Sequence, residues 1–411
     1  MTSKKEAVAG RADIAPIAPP EPDLTPGEMI ARAVALRPLL REGQAALEAA
    51  GRVSDEMNQR FIAAGFYRAV QPRLFGGYEF DVPTFMRVMA ELGRGCLESA
   101  WVVALTAGHA HLFAGFPIAG QAESYGADGE FRAPGVPPPS GVAVPVPGGF
   151  QVKGAWDYVS GCDVATHFIG GCRVTDAADG GSLLICIDRK DYTIIDNWQM
   201  IGMQGTGSKR IVIDEIFVPA QRTMPFTDGK GALINDRPGW AVIDNPMYRG
   251  RTTPFLIAES TAVVVGAAYG ALDLYEEILK SRKSRFPPFA HNAEMGEYQH
   301  NFGRCQALID TAHAAMIRVG ELYMELSRAS TFDVAWERRL QMVEQQCIHL
   351  AYEAVDIMFR TAGTSSARKD AMLGRSWRNL GVIRGHLAHQ SDSAAINFAR
   401  AHFGLPTTGR I

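Results

Sequence analysis

Six prolines fall between Pro134 and Pro147. No helix interior tolerates that density, because each proline lacks an N–H donor and clashes with the preceding turn. The stretch divides the chain into textures. Upstream, Thr25-Pro26-Gly27-Glu28 reads as a helix start, with Thr as N-cap, Pro at the first position and Glu at the third. Apolar residues then recur at helical spacing through Leu47. Further helices are expected over Ser54 to Ala64, Val82 to Gly93 and Ser99 to Phe113. The last is apolar almost all round and should be buried. Downstream come short alternating runs rich in branched residues, beginning at Gly149, His167, Leu183 and Arg210 and bounded by Gly, Asp or Pro; these are strands. From about Asn245 the helical period returns, over 255–282, 293–327, 332–362 and 377–403.

Segregated blocks of this kind argue against an alternating parallel sheet. The expected fold is α+β and multidomain. A mobile tail over 1–26 precedes an N-terminal helical domain over 27–132. A central antiparallel β domain over 133–240 and a C-terminal four-helix bundle over 241–411 follow. The proline-rich 131–147 segment reads as a connection that, with the loop from Asp228 to Gly250, shapes an entrance.

Composition narrows the function. The chain has 411 residues and a net charge of −3, so bulk electrostatics recruits neither nucleic acid nor an anionic membrane. Apolar stretches such as Ala100 to Ala107 fall short of a spanning helix. Lys4 and Lys5 precede no apolar signal region, and a cytoplasmic protein is expected. Cysteines at 96, 162, 172, 186, 305 and 347 form no CxxC pair, which reads as reduced thiols without a metal site. No GxGxxG opens a helix. The segment Gly202 to Lys209 approaches a phosphate loop, but Ser208 and Lys209 are in the wrong order and a strand follows where a helix is needed.

Four segments carry the chemistry: Arg73 to Gly77; Trp156-Asp-Tyr-Val-Ser160-Gly161-Cys-Asp163; Trp198 to Ser208, preceding the strand that ends Phe217-Val-Pro219; and Trp377-Arg378-Asn379 followed by His386. Together they resemble the acyl-CoA dehydrogenase superfamily from about residue 27 to 405. Within it they are similar to the flavin-dependent monooxygenase branch, which includes oxygenase components of 4-hydroxyphenylacetate hydroxylases, phenolic-steroid hydroxylases and dibenzothiophene monooxygenases. A dehydrogenase of this fold needs a carboxylate to take the acyl α-proton. The stretch after Arg378 offers His386 and His389 and no glutamate.

The resemblance implies a two-component monooxygenase that takes reduced FMN or FAD as a diffusible co-substrate. With O₂ it forms a C4a-hydroperoxyflavin, which survives only where water is excluded. The product is a hydroxylated aromatic, phenolic or other apolar small molecule. Ser160 is implied near flavin N5, with Trp156 and Tyr158 walling the ring, Thr206 and Ser208 supporting the ring or its phosphate, and Trp377 also binding the cofactor. Arg282 and Arg285 are implied at the flavin phosphate across a subunit interface of a homotetramer. His109 and His386 are implied as bases toward a phenol, since imidazole titrates near neutrality; His111 and His389 compete with them. The bland alternatives are a turn serine and packed core histidines. With no nicotinamide-nucleotide site in the chain, electrons should come from a separate NAD(P)H:flavin reductase. Three departures alter the pocket: Phe131-Arg-Ala-Pro-Gly-Val-Pro-Pro-Pro replaces a serine-rich stretch, Gln204 an arginine, and Asn379 an aspartate. The competing expectations are an acyl-CoA dehydrogenase or oxidase with a relocated base, a non-catalytic scaffold, and oxygenation at nitrogen or sulfur, which needs no base.

Overall fold

The computed structural model describes residues 14–175, 181–228, 233, 234 and 236–406. The first helices are α1 (Pro26–Glu42), α2 (Gln44–Ala50) and α3 (Asp55–Ala63). Thr25 closes α1 as predicted: Glu28 N donates to Thr25 Oγ1 at 3.2 Å, and Thr25 N donates to Glu28 Oε2 at 2.8 Å. The expected helix through Leu47 is interrupted at Gly43. Residues 14–25, assigned to the tail, lie against the helices instead. Ile17 N donates to Leu74 O at 3.0 Å, and Leu24 is buried. Residues 1–13 lie outside the described residues.

Next come α4 (Val82–Gly95), α5 (Leu97–Phe113) and α6 (Ile118–Tyr125). Every residue of α5 except Leu105 is buried, as its apolar circumference requires. The sheet then forms from β1 (Gly135–Val146), β2 (Gly149–Val159), β3 (His167–Val174), β4 (Ser182–Asp188), β5 (Thr193–Ile195), β6 (Lys209–Pro219) and β7 (Thr223–Thr227). Its order is β5-β6-β2-β1-β3-β4-β7. Two expectations are corrected here. The sheet is mixed, because β1 pairs with β3 in parallel. The proline-rich stretch is the middle strand and not a connection. It tolerates prolines because its pairing with β3 shifts register twice, between Val136 and Pro139 and between Pro139 and Gly141; a bulge needs no donor where a proline stands.

The C-terminal helices are α7 (Thr252–Ser281), α8 (Gly296–Ala329), α9 (Val334–Thr361), α10 (Met372–Arg384) and α11 (Ser391–His402). The expected helix over 377–403 is therefore two helices, and His386 stands in the turn between them. By length and composition α7 could cross a membrane, but 83% of its apolar window is buried within the fold. Its buried face packs against α4, α5, α8 and α9. One apolar core thus runs through both helical blocks, from Leu24 and Phe61 to Met358 and Leu380. The sheet keeps a separate core around Trp156, Phe168 and Ile211. A third cluster, including Phe113, Phe131, Ile169 and Met224, joins α5 to β3, β4 and β7. The sheet is thereby locked onto α5, and the helix carries residues to both sides of the junction.

Candidate active site

At the end of β2 the backbone turns sharply. Tyr158 has φ 64° and Gly161 φ 79°, left-handed conformations that are costly for tyrosine and free for glycine. The turn aims Ser160 at α5 and at the loop before β6. Trp101 Nε1, on α5, donates to Ser160 Oγ at 3.1 Å. Ser160 Oγ and Ser208 Oγ are 2.7 Å apart, Ser208 Oγ and Thr206 Oγ1 2.6 Å, and Thr206 Oγ1 donates to Met203 O at 2.7 Å. Each hydroxyl has one proton. The carbonyl can only accept, so Thr206 gives its proton to Met203 O, Ser208 to Thr206, and Ser160 to Ser208. Ser160 keeps an acceptor lone pair and no free proton.

The loop over Met203 to Gly207 is fixed from two sides. Gly205 N donates to Glu98 Oε1 on α5 at 2.7 Å, and Met203 N donates to Asn379 Oδ1 on α10 at 2.7 Å. Burial raises the pKa of Glu98 against the Gly205 N–H, which lowers it. Beside this network lies apolar surface open to solvent: Tyr158 is 66% exposed and Ile201 75%. Tyr158 meets Trp198 edge-on at 5.8 Å between ring centroids.

The turn after α10 brings two histidines to Trp101. His386 and His389 present their rings at 5.4 and 6.1 Å from the indole, nearly perpendicular. They differ in what they have left to offer. His389 is buried with Nδ1 on Ile383 O at 3.0 Å and Nε2 on Ser260 Oγ at 2.8 Å. Both nitrogens are engaged. His386 accepts Ala388 N at Nδ1, at 3.2 Å, so its neutral ring carries the proton on Nε2. Packing of that ring lowers its pKa to about 4; the residue's solvent-facing side limits the depression.

Deeper along α5, His109 is 3% exposed. Its Nδ1 lies 2.8 Å from Ala133 O, so Nδ1 carries the proton and Nε2 is bare. Burial lowers its pKa to about 4, opposed by the Ala133 carbonyl. His111, two residues on, points the other way. It stacks on Phe255 at 3.8 Å and bonds Met247 O at 2.9 Å, a packed structural histidine.

Of the residues singled out in the sequence, Ser160, Thr206, Ser208 and His386 are brought together, with Tyr158 at the open edge. Trp156 is a correction. It is fully buried in the sheet core, donates Nε1 to Gly171 O at 3.0 Å and packs edge-on to Phe168, so it has no free face for a flavin. Trp377 stacks on Phe359 and donates to Asp356 at 3.1 Å, in the seam of α9 and α10. Arg282 bonds Ala362 O at 2.6 Å beyond the end of α7, and Arg285 is exposed on the same loop. Neither arginine touches the hydroxyl chain among the described residues. Trp101, Glu98 and the contact of Asn379 were missed. A tryptophan and a glutamate three residues apart on an otherwise apolar helix were the available signal for the first two. Nothing local announces the third.

A buried hydroxyl chain that ends in an acceptor thus lies beside exposed aromatic surface, between a sheet and a helical bundle, in a chain of the acyl-CoA dehydrogenase fold. Residues 258–391 match the C-terminal domain of acyl-CoA dehydrogenases. The chain is 30% identical over 390 residues, 91% of its length and 98% of the relative's, to the oxygenase subunit HsaA of a flavin-dependent monooxygenase from Rhodococcus jostii. It is 25% identical over 401 residues, covering 93% and 95% of the two chains, to the oxygenase component of an FADH(2)-dependent resorcinol hydroxylase from a Rhizobium strain. The crystal structure of a 3-HSA hydroxylase from a Rhodococcus strain superposes with a TM-score of 0.86 at 26% identity, over 93% of this chain and 99% of that one. The chain belongs to the flavin-dependent monooxygenases built on the acyl-CoA dehydrogenase fold. It is an oxidoreductase that uses reduced flavin. As an oxygenase component, it works with a separate flavin reductase.

Proposed function

We propose that the chain hydroxylates an aromatic, phenolic substrate beside the Ser160 chain, with His109 and His386 handling the protons. The observation that carries this reading is the hydroxyl chain itself. Its proton order leaves Ser160 Oγ as an acceptor, and a reduced flavin presents an N–H donor at N5. The residues therefore fit the cofactor: Ser160 would hold the N5 proton, Tyr158 and Trp198 would flank the ring, and the Met203–Gly207 loop would back it. Bound reduced flavin supplies the oxygen-activating chemistry there.

The two histidines take different tasks because their tautomers differ. His109 presents a bare Nε2 and can accept the proton of a phenolic hydroxyl, which makes the aromatic ring more nucleophilic. His386 carries its proton on Nε2 and can donate to an oxygen as charge develops. Gly135 lets β1 approach the His109 ring, since a Cβ there would come within 2.9 Å of it. The prolines that follow in β1 make this wall apolar, which favours a bulky, weakly polar aromatic body behind the hydroxyl. We place the enzyme in the cytoplasm as a homotetramer, with Arg282 and Arg285 reaching a neighbouring subunit's flavin phosphate.

The test is to supply reduced FMN or FAD from a reductase and follow product and H₂O₂ together across phenols, aromatic amines and thioethers. Product from phenols alone, lost in His109→Ala with flavin binding retained, supports the reading. Equal turnover of thioethers, untouched by that substitution, would move the acceptor atom to sulfur and remove the base.

A further inference from the structure

Beside His109 Nε2, on α7, lies a carboxyl that the site so far leaves unused. Glu259 is 1% exposed, and neither of its side-chain oxygens has a hydrogen-bond partner. His109 Nε2 lies 3.6 Å from Oε1. That is longer than a hydrogen bond, so the lone pair of Nε2 is not taken. A lone ionised carboxylate in such surroundings is too costly to persist. Burial alone holds Glu259 in its protonated form. Among the described residues, His109 otherwise bonds only the Ala133 carbonyl, and no charged group from α4, α8 or β1 makes a hydrogen bond or ion pair with either partner. His111 and Tyr323, the next titratable groups, bond Met247 O and each other.

A second, independent feature concerns shape. Gly108 stands in the interior of α5, where alanine is the better helix former. A Cβ on Gly108 would lie 1.8 Å from Glu259 Oε2 and 3.4 Å from Phe85 Cζ. The missing methyl is the space the carboxyl occupies.

We propose that Glu259 is a positioning residue for His109: an uncharged carboxyl, housed against Gly108, that stands 3.6 Å from the bare Nε2 and holds the imidazole in its Nδ1–H tautomer. Charge decides why neutrality matters. A carboxylate at this distance would draw a proton onto Nε2 and turn the base into a donor. A neutral carboxyl fixes the ring without protonating it. The proposal rests on His109 being the base that meets the phenol.

Three variants separate the possibilities. Glu259→Gln keeps shape and neutrality and should hydroxylate within about twofold of the parent. Glu259→Ala should lose on the order of 10- to 100-fold in kcat, as for a misplaced general base, with reduced-flavin affinity unchanged and H₂O₂ release raised. Gly108→Ala should displace the carboxyl, at some cost in stability checked by calorimetry, and reproduce the Glu259→Ala loss. Nitrogen-15 spectra of histidine-labelled enzyme add a readout that needs no turnover. The Nδ1–H tautomer of His109 should persist in Glu259→Gln and give way to a mixture in Glu259→Ala and Gly108→Ala. Should Glu259→Gln be as impaired as Glu259→Ala, the carboxyl must ionise and the proposal is overturned. An unchanged His109 signal in all three variants would overturn it as well. Full hydroxylation by His109→Ala would sink the base assignment instead, and the spectra would still decide whether Glu259 positions the ring.

Discussion

Ser160 gives its single proton to Ser208, and what it offers outward is a lone pair. Removing that oxygen should leave flavin bound but unguarded. Ser160→Ala should raise the fraction of reduced flavin lost as H₂O₂ by about fivefold, the weight of roughly 1 kcal/mol for one neutral hydrogen bond, with the dissociation constant nearly unchanged. Coupled product and peroxide assays would show it, and unchanged coupling would remove Ser160 from the N5 role. Trp101→Phe keeps the ring against His386 and His389 but deletes the donor to Ser160. It should uncouple in the same direction to a smaller extent. Motif resemblance could propose Ser160, Thr206 and Ser208. The direction of their protons came only from finding a carbonyl at the end of the chain.

The loop from Met203 to Gly207, with a single 3-10 turn over Gln204–Thr206, is fixed by α5 through Glu98 and by α10 through Asn379. Asn379→Ala would leave the buried Met203 N–H without an acceptor, a cost of about 1–3 kcal/mol. Asn379→Asp keeps the acceptor but sets a second buried carboxyl beside Glu98 and should destabilise as well. The expected outcome is a lower melting temperature and weaker reduced-flavin binding in the alanine variant, read by calorimetry and by fluorescence titration; parent-like behaviour would deny the loop its anchor. Element boundaries set His386 apart as well. A continuous helix over 377–403 would have placed it on a helical face. The break at residues 385–390 puts its Nδ1 on Ala388 N and its ring beside Trp101, and no period in the sequence distinguishes a broken helix from an unbroken one.

Across the whole molecule, buried titratable groups set how stability responds to pH. His109, His111 and His167 are lowered to about 4 and His389 to about 3, each chiefly by burial, from an ordinary 6.5. Between those values the unfolded chain binds more protons than the folded one. Their contribution is therefore complete above 6.5 and lost as pH falls toward 4. Calorimetry should show the melting temperature dropping through that window. Glu344 works the opposite way. It is fully buried on α9, neither oxygen has a partner, and its pKa is raised well above 4.5. The folded state keeps a proton that the unfolded state loses above 4.5, so its contribution declines as pH rises. Glu344→Gln removes that dependence. The variant's stability relative to the parent should grow as pH rises above 4.5, measured by denaturant titration; a difference flat with pH would mean that Glu344 is ionised in the fold.

Hydrophobic period and proline placement determined the order of helices, sheet and helices, because a 3.6-residue repeat and a two-residue repeat bury different faces. The capping box at Thr25 was equally local, since all its atoms belong to residues three apart. Contacts distant in the chain were decided by the tertiary structure. Prolines that read as a connection became the central strand, because bulged pairing with β3 excuses their missing donors. Two helical blocks became one core around α7. Trp156 was enclosed in the sheet while Trp101, 55 positions earlier in the sequence, took its place at the site. Glu259 met His109 across two helices, 150 residues apart. Residue types can be read one at a time, but hydrogen-bond partners, tautomers and burial belong to pairs, and the fold chooses the pairs.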